Sequence, residues 1–244
     1  MKISAKSYSI VKDYITILEK STNEIYPMAS LTKLGTALLS YELIPKEEYL
    51  LVSKDIIITN SYESKADLKE NEEYKVSDLY YGLLLPSGND VAKLLSRRIE
   101  QNNYNFSSAS EKWRKSNRIN HYFFEEPVGL SSNSKTNTSD LIKILTIIEN
   151  NSFLFNVLQN KEFTFFSKNN IPIKVLSRTP IHFYKNYHIF GKTGKTKTAG
   201  QCFAGYIKKD SEIWKIAILG SSNLESDLIN IVDYLSSGIH SEKK

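Results

Sequence analysis

The chain has 244 residues, 41% hydrophobic and 24% charged, with a net charge of +5; that is enough to bury one large core and is ordinary for a globular protein. The lysines are scattered, with no arginine-rich block and no stripe of interleaved aromatic and basic residues, so nucleic acid is not an expected partner and only a mild attraction to anionic substrates or membrane surfaces remains. The one cysteine, Cys202, rules out an internal disulfide, no apolar run reaches the roughly 18 residues of a transmembrane segment, and His121, His182, His188 and His240 lack metal-ligand spacing, so neither a catalytic metal nor another cofactor is expected.

Residues 3–18 alternate and carry β-branched and aromatic side chains, which predicts a strand pair turning near Lys12 and Asp13. After Tyr26-Pro27-Met28-Ala29 the period changes. Leu31, Leu34, Leu38 and Leu39 recur at three and four residues, predicting a helix from Ser30 to about Leu43 that ends before Pro45. Residues 49–60 read as extended. A helix beginning at Val76-Ser77-Asp78 carries Leu79, Tyr80, Leu83 and Leu84 and is stopped by Pro86. A second follows Ser87-Gly88-Asn89, with Val91, Leu94, Leu95 and Ile99 inward, and a third, polar one covers 105–118. Pro127-Val128-Gly129-Leu130 is a turn, and Thr138-Ser139-Asp140 caps a helix carrying Leu141, Ile144, Leu145 and Ile148.

Strands then return. Residues 162–167 and 171–176 form a predicted hairpin, and 189–193, 201–208 and 213–220 three further strands. Cys202 lies in that alternating run, as a buried small hydrophobe rather than a nucleophile. An amphipathic helix runs from Leu224 to about Ser236, and His240 to Lys244 is a short polar tail. Strands at both ends with helices between predict an α/β fold. One antiparallel sheet comes from both chain ends and is flanked by helices, with a mainly helical lobe (roughly 55–160) inserted into a single domain spanning 1–244. The site is expected at the seam between sheet and lobe.

Three short segments carry chemistry. A serine hydroxyl needs a base to act as a nucleophile, and Ser30 has Lys33 one helical turn away on the same face. Partial burial near another cation, with Lys192 the candidate, would lower the Lys33 ammonium pKa and let the neutral amine take the hydroxyl proton. The helix start brings backbone N–H groups to the place where an oxyanion would form. In the Ser87-Gly88-Asn89 turn, Ser87 would relay a proton to the leaving group, while Asn89 would orient Lys33 and bond a substrate amide. Lys192-Thr193-Gly194 closes an extended segment able to pair with a peptide. Lys192 and Thr193 would receive a carboxylate, Gly194 would leave room for close approach, and the Lys195 N–H would be a second oxyanion donor. Each segment alone is also a common structural motif, a capping serine or a turn with a solvated lysine; the three in this order describe a site that attacks an amide carbonyl next to a carboxylate.

Together they resemble the penicillin-recognising serine peptidases, and within them the low-molecular-mass D-alanyl-D-alanine carboxypeptidases. Tyr26-Pro27-Met28-Ala29-Ser30-Leu31-Thr32-Lys33 resembles the nucleophile segment of that family and Leu84-Leu85-Pro86-Ser87-Gly88-Asn89-Asp90 its second motif. Glu126-Pro127-Val128-Gly129-Leu130 resembles its Pro-x-Gly-Leu turn, and Gly191-Lys192-Thr193-Gly194 through Ala204-Gly205-Tyr206 its third motif and following hairpin. The resemblance implies an α/β sandwich with a helical lobe and an acyl-enzyme at Ser30. It also implies peptidoglycan stem peptides as substrate and β-lactam antibiotics as covalent inhibitors. A D,D-endopeptidase, a β-lactamase and a non-turnover β-lactam sensor are the alternatives, though Glu125 and Glu126 lack the loop pattern by which β-lactamases activate the deacylating water. Three positions depart from the family pattern: Lys195 stands where histidine is frequent, Tyr187-His188-Ile189-Phe190-Gly191 has no acidic residue, and residues 224–228 lack an arginine often found there. The family works outside the cytoplasm, so a periplasmic or cell-surface location is implied, with a signal peptide absent from this sequence; a native start at Met1 would instead mean the cytoplasm.

Overall fold

In a computed structural model covering residues 2–102, 104–131 and 133–237, both chain ends enter one sheet. Strands β1 (Ser7–Lys12) and β2 (Ile15–Lys20) form the N-terminal hairpin, turning through Asp13 and Tyr14, both at positive φ. The short β3 (Tyr26–Pro27) and a 3-10 turn, Ala29–Leu31, lead into α1 (Thr32–Leu43). The lobe follows with β4 (Tyr49–Leu51), β5 (Glu73–Lys75), α2 (Val76–Leu84), α3 (Asn89–Gln101), α4 (Phe106–Ser116), β6 (Tyr122–Phe123), β7 (Lys135–Thr136), α5 (Thr138–Glu149) and α6 (Ser152–Gln159). The hairpin β8 (Glu162–Phe166) and β9 (Pro172–Leu176) precedes β10 (Phe183–Tyr184), β11 (Tyr187–Thr196), β12 (Gly200–Lys209), β13 (Glu212–Ser221) and α7 (Leu224–Ser236). The main sheet runs β10-β11-β12-β13-β1-β2, antiparallel throughout.

Side chains on β11 to β13 alternate between two cores, as the two-residue period of a strand requires. Phe190, Ala204, Tyr206, Ala217 and Leu219 face the helical side. Ile189, Phe203, Ile207, Ile216 and Ile218 face α7, which buries Leu224, Leu228, Ile231, Val232 and Leu235 against them. The Tyr206 hydroxyl donates to the Leu145 carbonyl at 2.6 Å, tying the sheet to α5.

Several expectations are corrected in detail. The extended stretch predicted for 49–60 pairs only over Tyr49–Leu51, because Lys54–Ile56 tightens into a 3-10 turn. The cap of α5 is Asn137, whose side chain accepts from the Asp140 N–H, rather than Thr138. Helix α1 was legible from one leucine face, yet every residue from Thr32 to Ser40 is buried. A helix enclosed on all sides tolerates small residues where neighbours press closest: a Cβ on Gly35 would lie 2.7 Å from the Tyr122 ring. Among the described residues no single helix is long and apolar enough to cross a membrane. The tail from His240 lies outside the described residues.

Candidate active site

Ser30 sits in the 3-10 turn ahead of α1 rather than in the helix itself, and Lys33 stands in the first turn of the helix. Ala29, immediately before the nucleophile, has φ +48, a conformation that costs a residue with a Cβ about 1–3 kcal/mol. The surroundings hold it there. Thr32 Oγ1 donates to the Ala29 carbonyl at 2.8 Å, and the buried Tyr122 hydroxyl donates to the Leu31 carbonyl at 2.6 Å while accepting from the Gly35 N–H. Gly129, at φ +91, lies under the turn; a Cβ there would fall 2.1 Å from the Ala29 oxygen.

Lys33 Nζ is 3.1 Å from Ser30 Oγ and donates to the Val128 carbonyl at 2.8 Å. The lysine is fully buried, and that desolvation pulls its pKa down to about 7 against the opposing pull of the Glu126 and Asp90 carboxylates. An amine poised near neutrality beside a hydroxyl is the arrangement a general base needs.

The second segment meets the first from across the cleft. Ser87, buried and at φ +67, points an Oγ that has no hydrogen-bond partner. Asn89 opens α3, but its amide nitrogen donates to Glu63 Oε2 at 2.8 Å; the contact expected between Asn89 and Lys33 is replaced by the Val128 carbonyl. The third segment is the far half of β11. Lys192 is fully buried, its Nζ donating to the Thr193 carbonyl at 2.6 Å, and its pKa is well below the usual lysine range through burial and the positive charges of Lys33 and Arg178. Gly194 packs on the nucleophile turn: a Cβ on it would be 3.0 Å from the Ser30 N and 2.9 Å from the Met28 oxygen. From Lys192 onward no described strand pairs with the outer edge of β11.

A family model described as D-alanyl-D-alanine carboxypeptidase matches residues 1–223. The chain belongs to that family. It is therefore a serine-type hydrolase, a penicillin-binding D-Ala-D-Ala peptidase. The fold agrees: the Streptomyces K15 DD-transpeptidase superposes with a TM-score of 0.85 at 20% identity, over 96% of this chain and 97% of that one. A penicillin-binding protein homologue from Mycobacterium tuberculosis gives 0.84 at 17% identity, over 97% and 93%. By sequence, no curated protein matches.

In this family member the segments converge on a cleft of about 380 Å³ whose lining includes Ser30, Ser87, Thr193, Gly194 and Lys195. Sequence reasoning missed two of its walls. Arg178, from the segment after β9, and Ser64, from the loop before β5, both line it. Neither carries a periodic or motif signal; Arg178 arrives because its own N–H bonds the Leu85 carbonyl next to the second segment. The cleft therefore has exposed cations at Arg178 and Lys195, while the start of α7, which lacks the family arginine, contributes Leu224. A second cavity of about 390 Å³, between α4 and the 122–135 segment, brings together none of the predicted site residues. Cys202, opposite Gly194 on β12, is fully buried, and burial pushes its thiol up to about 11, as a core residue rather than a nucleophile.

Proposed function

We propose that the chain is a D-Ala-D-Ala carboxypeptidase that removes the terminal D-alanine from peptidoglycan stem peptides through an acyl-enzyme at Ser30. The observation that carries the reading is the buried Lys33 amine, near pKa 7, 3.1 Å from Ser30 Oγ. Neutral Lys33 takes the Ser30 proton as Oγ attacks the carbonyl of the penultimate D-alanine. The oxyanion is received by the N–H groups of Ser30 and Lys195, a reading supported by the close packing of Gly194, just before Lys195, against the Ser30 N. Ser87, whose Oγ is unsatisfied, passes the proton to the departing amine, the C–N bond breaks, and D-alanine leaves. Water then cleaves the ester, returning Ser30 and the shortened peptide. The terminal carboxylate is received by Thr193 at the cleft wall, with the exposed Lys195 and Arg178 supplying positive charge and Lys192 buried behind them on β11. The substrate, together with the family's setting, supports an extracytoplasmic location.

β-Lactams place a strained amide next to a carboxylate and acylate Ser30 in the same way. Slow release of that adduct is favoured over β-lactamase turnover because Glu125 and Glu126 are engaged in their own loop. Glu126 accepts from the N–H groups of Val128, Gly129 and Ser131, and Glu125 from Ser131 and Asn133 side chains. Mass spectrometry after treatment with a penicillin tests this. A lasting adduct on Ser30 is expected, whereas rapid loss with hydrolysed drug would make the protein a β-lactamase. Release of D-alanine from an N-acylated Lys-D-Ala-D-Ala peptide is the second expected result; an adduct without release would indicate a sensor.

A further inference from the structure

Tyr122 opens β6, which pairs with β7; β7 pairs in turn with β3, the strand that delivers the chain to the nucleophile turn. Tyr122 and Tyr26 both stand opposite Thr136. One small sheet therefore carries the approach to Ser30 and a side chain that reaches past it. Tyr122 is fully buried, and its hydroxyl donates to the Leu31 carbonyl at 2.6 Å and accepts from the Gly35 N–H at 3.0 Å. Residues 31 and 35 are the i and i+4 partners of the first turn of α1. A single hydroxyl thus touches both ends of the turn that contains Lys33, and one of those ends is the residue after Ser30. Gly35 is what admits the ring: a Cβ there would meet Tyr122 at 2.7 Å and Phe124 at 3.0 Å. Burial holds the Tyr122 phenol well above the ordinary tyrosine range, so it stays an O–H donor wherever Lys33 titrates and is no rival base.

We infer that Tyr122 and Gly35 form a positioning pair for acylation: the tyrosine hydroxyl braces the first turn of α1 and so sets Ser30 Oγ against Lys33 Nζ. The inference rests on the acyl-enzyme reading above and adds to it two residues outside the three segments. Neither lines the cleft, so the pair acts on the chemical step and not on recognition of the ligand. Small errors in the placement of a nucleophile and its base are expensive in rate.

The test measures the pre-covalent affinity and the acylation rate constant for benzylpenicillin on the full chain. Four proteins are compared: the unaltered chain, Tyr122→Phe, Gly35→Ala and the double variant. Phenylalanine keeps the ring and removes only the hydroxyl. Its rate constant is expected to fall about tenfold, the scale of one buried hydrogen bond, with affinity within about twofold. The pH at half plateau, near 7, should not move, because burial and the carboxylates set the Lys33 pKa. Gly35→Ala should lower the rate at least as far by driving the ring off the turn. Adding Tyr122→Phe to it should then cost nothing more, since the hydroxyl is already out of reach. A merely structural role would lower thermal stability and leave the acylation rate of the folded protein unchanged. That result overturns the inference, as do equal losses in affinity and rate, a shifted midpoint, or additive losses in the double variant. If Gly35→Ala does not fold, the rate, affinity and midpoint of Tyr122→Phe decide alone. An unaltered chain that takes no adduct from benzylpenicillin would instead sink the Ser30 reading itself, and this inference with it.

Discussion

Lys33 on the helical side and Lys192 on the sheet side are both fully buried, yet their surroundings differ. Lys33 has a hydroxyl and a carbonyl in reach, and the Glu126 and Asp90 carboxylates pull against its desolvation, so it settles near neutrality at about 7. Lys192 has one carbonyl, and the charges acting on it are the cations Lys33 and Arg178. Burial lowers the pKa of both lysines, and their neighbours differ. One is balanced to exchange a proton with Ser30. The other lacks a counter-charge, which in the proposed mechanism an entering substrate carboxylate would provide.

The comparison can be broken at several points. Removing the nucleophile is the largest change: Ser30→Ala is expected to abolish both the penicillin adduct and D-alanine release, and retained release would refute the assignment. Lys33→Ala should lower the acylation rate by about 10²- to 10⁴-fold, the usual span for a general base, while affinity before acylation hardly moves. An unchanged rate would make Lys33 structural. Lys192→Ala should show the opposite split, weakening pre-covalent affinity by about 10- to 100-fold, as for a hydrogen bond to a charged group, with a smaller effect on the chemical step. Equal losses in both variants would erase the distinction between the lysines.

A pH profile sharpens it further. Protonated Lys33 cannot act as a base, so the acylation rate should rise with pH and reach half its plateau near 7. Below that midpoint it should fall about tenfold for each pH unit, since the neutral fraction does. A profile flat from pH 5 to 9 would contradict the role given to this lysine.

Much of this was readable in the sequence where a local pattern and its consequence coincide. The alternating run from Gln201 to Lys208 is a strand with two buried faces, and the leucine spacing after Leu31 is a helix. The three segments announced Ser30, Lys33 and Lys192 because each places its residue by its own turn, helix or strand. What stayed hidden depends on convergence. Nothing in the stretch around Glu63 predicts that it reaches Asn89, 26 residues later, and Arg178 enters the cleft only because its backbone is moored to Leu85. The Val128 carbonyl could be seen as part of a turn but not as the partner of a lysine 95 residues away. The small helix Ser152–Gln159 follows α5 after a sharp bend of 105°, which periodicity alone does not reveal.

The outer edge of β11, which no described strand pairs from Lys192 onward, has a consequence beyond the proposed recognition of a peptide. A strand edge open to a substrate is also open to the same edge of another copy, and exposed edges are where chains stick together. Lys195 and Lys197 stand exposed at its far end. Two such edges meeting antiparallel around Lys195 would bring like charges together, and charge on an edge disfavours such pairing.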